Sequence, residues 1–127
     1  MHVEIAAFLG EPREGETFAI CGGLVTFDVR AAYLYLLGQG TRDLMRLNVA
    51  AFAPLLEQVE LTPAKQAAVD IHKAGILAHF GEHPMLVDGN HRLAERVRRG
   101  FEGMPVFVLS GAETRRFLDD PDVVVIG

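Results

Sequence analysis

Five consecutive residues, Asp88-Gly89-Asn90-His91-Arg92, carry most of the chemistry in this chain. An apolar run through Leu86 and Val87 ends at the acidic residue, a glycine turns the backbone, and a polar trio opens a basic stretch. That pattern describes a strand–turn–helix junction. The first N–H groups of such a helix lack intrahelical acceptors and point at one spot, and the helix dipole favours an anion there, usually phosphate. Gly89 lets the backbone take a positive φ and approach a ligand closely, or simply makes the turn. Arg92 has the planar fork that binds phosphate oxygens in pairs; otherwise it is a solvated residue or a partner for Asp88. His91 can donate a further bond or shuttle a proton. Asp88 has three readings: it caps the helix, holds Mg²⁺ beside phosphates, or acts as a general base. Asn90 either bonds a ligand or is just the first helical residue. Arg96 either extends the anion site along the helix or joins Arg98 and Arg99 in a solvated face paired with Glu95.

The elements around the junction follow from periodicity and breakers. Val3–Leu9 is mostly apolar and predicts a first strand, followed by a charged turn over Glu11-Pro12-Arg13-Glu14-Gly15-Glu16. Thr17–Ile20 and Leu24–Phe27 are β-prone runs about Gly22-Gly23. Asp28 is placed to cap a helix over Val29–Leu37 with Ala32, Tyr33, Leu36 and Leu37 on its apolar stripe, stopping at Gly38. Thr41 predicts the cap of a helix through Leu44 and Leu47, and Asn48 a restart. Pro54 divides the stretch to Val59 into two helical pieces. Thr62-Pro63 predicts a helix to about Ala74 that buries Ala67, Ala68 and Ile71.

Ile76–Phe80 and Pro84–Val87 predict a hairpin about Gly81-Glu82-His83. The junction helix runs over Asn90–Arg99 with Leu93 and Val97 as its apolar stripe, ended by Gly100. Met104–Leu109 is the clearest strand. A short helix then begins at Ser110 or Gly111 and reaches Phe117, and Val123–Ile126 predicts a closing edge strand. The expectation is a single α/β domain over residues 1–127, of the α+β type, with a small mixed sheet flanked by helices.

Composition narrows the function. At 127 residues the chain can bury a core without disulfides, and half of its residues are apolar. The single cysteine, Cys21, forms no intrachain disulfide, sits among apolar neighbours as an inert thiol, and fits a reducing, cytoplasmic setting. The N-terminus lacks the pattern of a signal peptide. No apolar stretch approaches the roughly 20 residues that span a bilayer, so no membrane partner is expected. A net charge of −5 disfavours nucleic acid, which calls for a basic excess, and leaves a small anionic ligand compatible. His79, His83, His91 and Asp88 match no standard metal spacing, and the hairpin sends alternate residues to opposite faces.

At Leu86-Val87-Asp88-Gly89-Asn90-His91-Arg92-Leu93-Ala94 the sequence resembles the ParB/sulfiredoxin superfamily. The family pattern is a helix, a β-hairpin, a glycine-containing motif ending in arginine, a helix and another strand. The resemblance covers about Thr62 to Leu118. It implies a nucleotide whose phosphates rest on Gly89, Asn90, His91 and Arg92, with Asp88 matching the acidic residue of the kinase-like members. Sulfiredoxins carry their catalytic cysteine where this chain has Asn90, so sulfinic-acid reduction is excluded. The partition proteins of the family add DNA-binding and dimerisation domains that are not expected here. The family's serine kinases take a base from an early glutamate, for which Glu11, Glu14 and Glu16 are candidates by location alone.

The leading expectation is therefore an enzyme that hydrolyses or transfers a phosphoryl group from ATP or a related nucleoside di- or triphosphate with Mg²⁺, acting on water or a small-molecule acceptor. The alternative is a non-catalytic module that binds a nucleotide or a protein partner as an inhibitor or effector. A nuclease is the weakest reading, because it needs a basic track and a metal cluster.

Overall fold

The computed structural model describes residues 1–10 and 14–122, without the side chain of Cys21. The Cys21 thiol, the 11–13 part of the charged turn and the strand anticipated at Val123–Ile126 therefore lie outside the described residues.

From the N-terminus, β1 (His2–Glu4) passes into a 3₁₀ turn at Ile5–Ala7. A hairpin follows, made of β2 (Thr17–Ile20) and β3 (Val25–Asp28) about a turn in which Gly22 and Gly23 take positive φ. Asp28 caps α1 (Val29–Gln39), its Oδ1 accepting from the Ala31 N–H at 3.0 Å. Two short strands, β4 (Thr41–Asp43) and β5 (Met45–Asn48), lead into α2 (Val49–Phe52), a 3₁₀ segment at Ala53–Gln58 and α3 (Pro63–Ala68). The second half contains β6 (Gly75–Phe80), β7 (His83–Asp88), α4 (Asn90–Arg98), β8 (Gly103–Leu109) and α5 (Gly111–Arg115).

The protein is mixed α/β, with small sheets flanked by helices. Its principal sheet has the order β5-β8-β6-β7, with β6 parallel to β8 and the other two pairings antiparallel. β6 and β8 are the inner strands, which is why they read as nearly continuous apolar runs. Alternate residues feed two cores. Ile76, Ala78, Phe107 and Leu109 face α1 and the β2–β3 hairpin, whereas Leu77, Met104 and Val106 pack with Leu93 of α4 and Leu47. Among the described residues no helix is long and apolar enough to cross a membrane.

Several local expectations are corrected. The apolar N-terminal run gives a strand of only three residues, because Ile5 turns into the core instead of continuing the ladder. No helix forms over Thr41–Leu47. That stretch supplies β4, paired with β1, and β5, paired with β8, so pairing with distant strands overrides a weak helical pattern. Gly38 lies inside α1, and the helix ends instead at Gly40, with φ of 78°. Asn48 does restart a helix, its Oδ1 accepting from the Ala50 N–H at 3.1 Å. α3 stops at Ala68 with Ala67 and Ala68 exposed, while Ile71 is buried from the following loop. Val97 is 42% exposed, so the buried side of α4 is Leu93, Ala94, Glu95 and Arg96. α5 ends at Arg115 and is held by a capping box between Ser110 and Glu113.

Candidate functional site

α4 begins where β7 ends, and the joint is Gly89 at φ of 100°. A Cβ there would lie 2.9 Å from Met104 Cε and 3.0 Å from Gly75 Cα, and a Cβ at Gly75 would lie 2.7 Å from the Asp88 carbonyl oxygen. Two glycines thus let the start of β6 close against the junction. Gly89 is required by backbone conformation and by this close packing together.

Side chains of Asp28, Asn48 and Ser110 cap α1, α2 and α5, whereas among the described residues no side chain caps α3 or α4. Asn90 turns back and its Nδ2 donates to the Leu86 carbonyl at 3.0 Å. Asp88 does not cap either. Its Oδ2 accepts a short hydrogen bond from the Tyr33 hydroxyl and lies 3.7 Å from Arg92 Nη1. Among the described residues, the helix terminus therefore opens without a side-chain anion bonded to its donors.

It opens into a cleft of about 340 Å³ lined by all five motif residues. Other parts of the chain bring Gly10, Glu16, Tyr33, Lys65 and Asp70 to its walls. Arg92 is 17% exposed, and its Nη1 donates to the Ala74 carbonyl at 3.2 Å. Its Nε is buried and, among the described residues, has no hydrogen-bond partner. A guanidinium held this loosely leaves donor capacity unused. Burial pushes the Tyr33 phenol far above its ordinary range, reinforced by the charge of Asp88 and by the bond to it. The phenol therefore stays protonated and donates, fixing the Asp88 carboxylate through one oxygen.

His91 lines the cleft, but its Nε2 accepts from the Thr62 N–H at 3.0 Å. That acceptor role puts any single ring proton on Nδ1. The imidazole thus ties the start of α3 to α4, and Nε2 is committed to that tie instead of to proton transfer.

Arg96 is corrected as a site residue. It is 8% exposed, does not line the cleft, and donates from Nε to Ile71 O at 3.0 Å and from Nη1 to Gly103 O at 2.8 Å, with a further short bond from Nη2 to Ile71 O. Its guanidinium also stacks 4.7 Å from the Phe101 ring centroid. It is a structural cation that pins the loop at Ile71 and the start of β8 to α4. Arg98 and Arg99 pair with Glu95, whose carboxyl these bonds pull down to about 2.

The early glutamates resolve in part: Glu16 lines the cleft, Glu14 is exposed outside it, and Glu11 lies outside the described residues. Tyr33, Lys65 and Asp70 were not anticipated. Tyr33 carried the one usable signal, because a hydroxyl on an apolar helical stripe needs a partner when buried. Lys65 and Asp70 gave none beyond being polar.

The cleft is mixed in charge, lined by Lys65 and Arg92 together with Glu16, Asp70 and Asp88. Among the described residues no three of the His, Cys, Asp and Glu side chains converge to hold a metal. A Mg²⁺ carried in by phosphates needs fewer protein ligands than that, and among the described residues no hydrogen bond reaches Asp88 Oδ1. In comparisons with protein-family models, with curated proteins and with solved structures, nothing matched the chain.

Proposed function

We propose that this chain is a nucleotide-binding enzyme that hydrolyses or transfers a phosphoryl group from ATP or a related nucleotide, with the phosphates at the first turn of α4. The observation that carries this reading is the uncapped N-terminus of α4, opening on a cleft with Arg92 and Lys65 in its walls. The order of α3, the β6–β7 hairpin, the glycine motif, α4 and β8 supports it, since that is the order of the ParB/sulfiredoxin pattern the sequence resembles.

The chain's own groups divide the work. Backbone N–H groups of the α4 terminus bind phosphate oxygens, and Arg92 rotates its underused guanidinium onto them. Lys65 adds a positive charge from another part of the lining. Tyr33 holds Asp88 by Oδ2, which leaves Oδ1 to ligate Mg²⁺ or, in place of that, to activate an acceptor hydroxyl or water. Three carboxylates would repel a bare polyphosphate, so the nucleotide is expected as its Mg²⁺ complex, with Asp88 as the protein ligand. The bound ion would neutralise charge on the phosphates. Most of the rate enhancement in such a site comes from positioning and electrostatics.

Calorimetric titration of ATP, ADP and CTP, with and without Mg²⁺, tests the reading on wild type and on Arg92→Ala. Binding to wild type that weakens at least tenfold in the variant, about 1.4 kcal/mol, is the expected result. No binding of any nucleotide would sink the assignment.

A further inference from the structure

The cleft has an apolar neighbour. A groove of about 700 Å³ runs between β2 and β7 under the 52–59 segment, with Phe18, Phe52, Leu55 and Met85 among its walls. Among the described residues no Lys, Arg, Asp or Glu lines it, and its only polar side chains are Gln58, His83 and Asn90. Asn90 lines the charged cleft as well. Helical spacing explains how: Asn90 and Leu93, three apart on α4, present one face to the groove, while His91 and Arg92 line the cleft. One helical turn thus divides a charged cavity from an uncharged one and belongs to both.

We infer that the groove is the subsite for the apolar body of a second ligand, an amphiphile whose polar end reaches the α4 terminus past Asn90. Three observations fix its chemistry. The volume and the apolar, partly aromatic lining match a small-molecule pocket with a few polar groups for orientation. The lack of charged walls excludes a charged body, since an ion buried there would lose its hydration without a partner. Asn90 lines both cavities, so a ligand seated in the groove that carries one polar end, a hydroxyl or an anionic head, would turn that end toward the α4 terminus. The occupant is therefore an aromatic or branched apolar molecule with a single polar head. The placement of that head rests on the reading of the cleft as a phosphate site; the groove itself does not.

The probe is 8-anilinonaphthalene-1-sulfonate, an aromatic body with one anionic head, titrated by fluorescence against wild type and Leu55→Glu. Leu55 is 42% exposed on the groove wall, so the glutamate is tolerated in the fold but charges the groove. Saturable one-to-one binding that weakens at least tenfold in Leu55→Glu, with an unchanged melting temperature and unchanged ATP affinity, is the expected result. Absence of binding, or equal binding by both proteins, would overturn the inference. So would sedimentation showing a dimer in wild type that Leu55→Glu dissociates, because a second copy would then be the occupant. Probe binding lost in Leu55→Glu without any nucleotide binding by wild type would leave the groove standing and remove the phosphate site. ATP binding without probe binding would do the reverse.

Discussion

The two ends of α4 use the same residue types to opposite purposes. At the C-terminal end Arg96 is buried and bonded to the carbonyls of Ile71 and Gly103, and Arg98 and Arg99 both clasp Glu95. Among the described residues, no side chain caps the helix at the N-terminal end, and Arg92 has one backbone bond, a long contact to Asp88 and a buried Nε without a partner. Satisfied groups stabilise a fold and have little left to offer a ligand. Under-satisfied groups around a cleft cost stability and can recover it by binding. Four arginines within two turns are therefore not one basic face.

The largest effect is expected at the hinge of the binding end. Gly89→Ala forces a side chain into a left-handed backbone and against Met104 and Gly75, so a loss of about 3 kcal/mol is expected from strain and overpacking together. Thermal unfolding would show it as a melting point lowered by roughly 10 °C; an unchanged one would mean that the junction repacks freely. Next comes Arg96→Met, which strands the carbonyls of Ile71 and Gly103 and should cost about 2–3 kcal/mol. Its ATP affinity should stay within about twofold of wild type, well under 1 kcal/mol. A selective loss of ATP binding with the fold intact would return Arg96 to the anion site. Arg92→Ala should do the opposite, weakening ATP at least tenfold while changing stability by less than about 1 kcal/mol.

The smallest effect is a pH dependence at the stabilising end. Glu95 is held near 2, below the ordinary value of 4.5, by Arg98 and then Arg99. A carboxyl depressed in the folded state contributes stability that is present above about 4.5 and lost as the pH falls toward about 2. Glu113 behaves alike, pulled to about 2 chiefly by Arg42. Glu95→Gln should therefore flatten the acid limb of a stability–pH curve only in part, leaving the share of Glu113. An unaltered limb would show that the arginine clasp is dispensable.

Local pattern made much of this protein legible. The hairpin of β6 and β7, the glycine joint, α4 and β8 follow one another within 35 residues, and each announces itself through apolar runs and breakers. The cap of α1 by Asp28 is equally local. The misread stretches are those decided at a distance. β4 and β5 exist because β1 and β8 pair with them, and nothing between Thr41 and Asn48 encodes those partners. α3 ends early because Ile71 is drawn into the core from a loop. Arg92 and Arg96 lie four apart on one helix, and the sequence left each open between the anion site and a solvated face. Only their surroundings separate a loosely held cation from a fully bonded one.

The sequence by itself determined the junction: an acid, a glycine able to take φ of 100°, and a helix whose first turn carries Asn90, His91 and Arg92. Such features depend on neighbours a few residues apart, where backbone sterics and helix periodicity act directly. The tertiary structure decided what that junction faces. Tyr33 arrives from 55 residues away to hold Asp88, Lys65 and Glu16 close the cleft from other elements, and an uncharged groove meets it at Asn90. Those encounters are fixed by how two cores pack against the two faces of one sheet, an outcome spread over the whole chain.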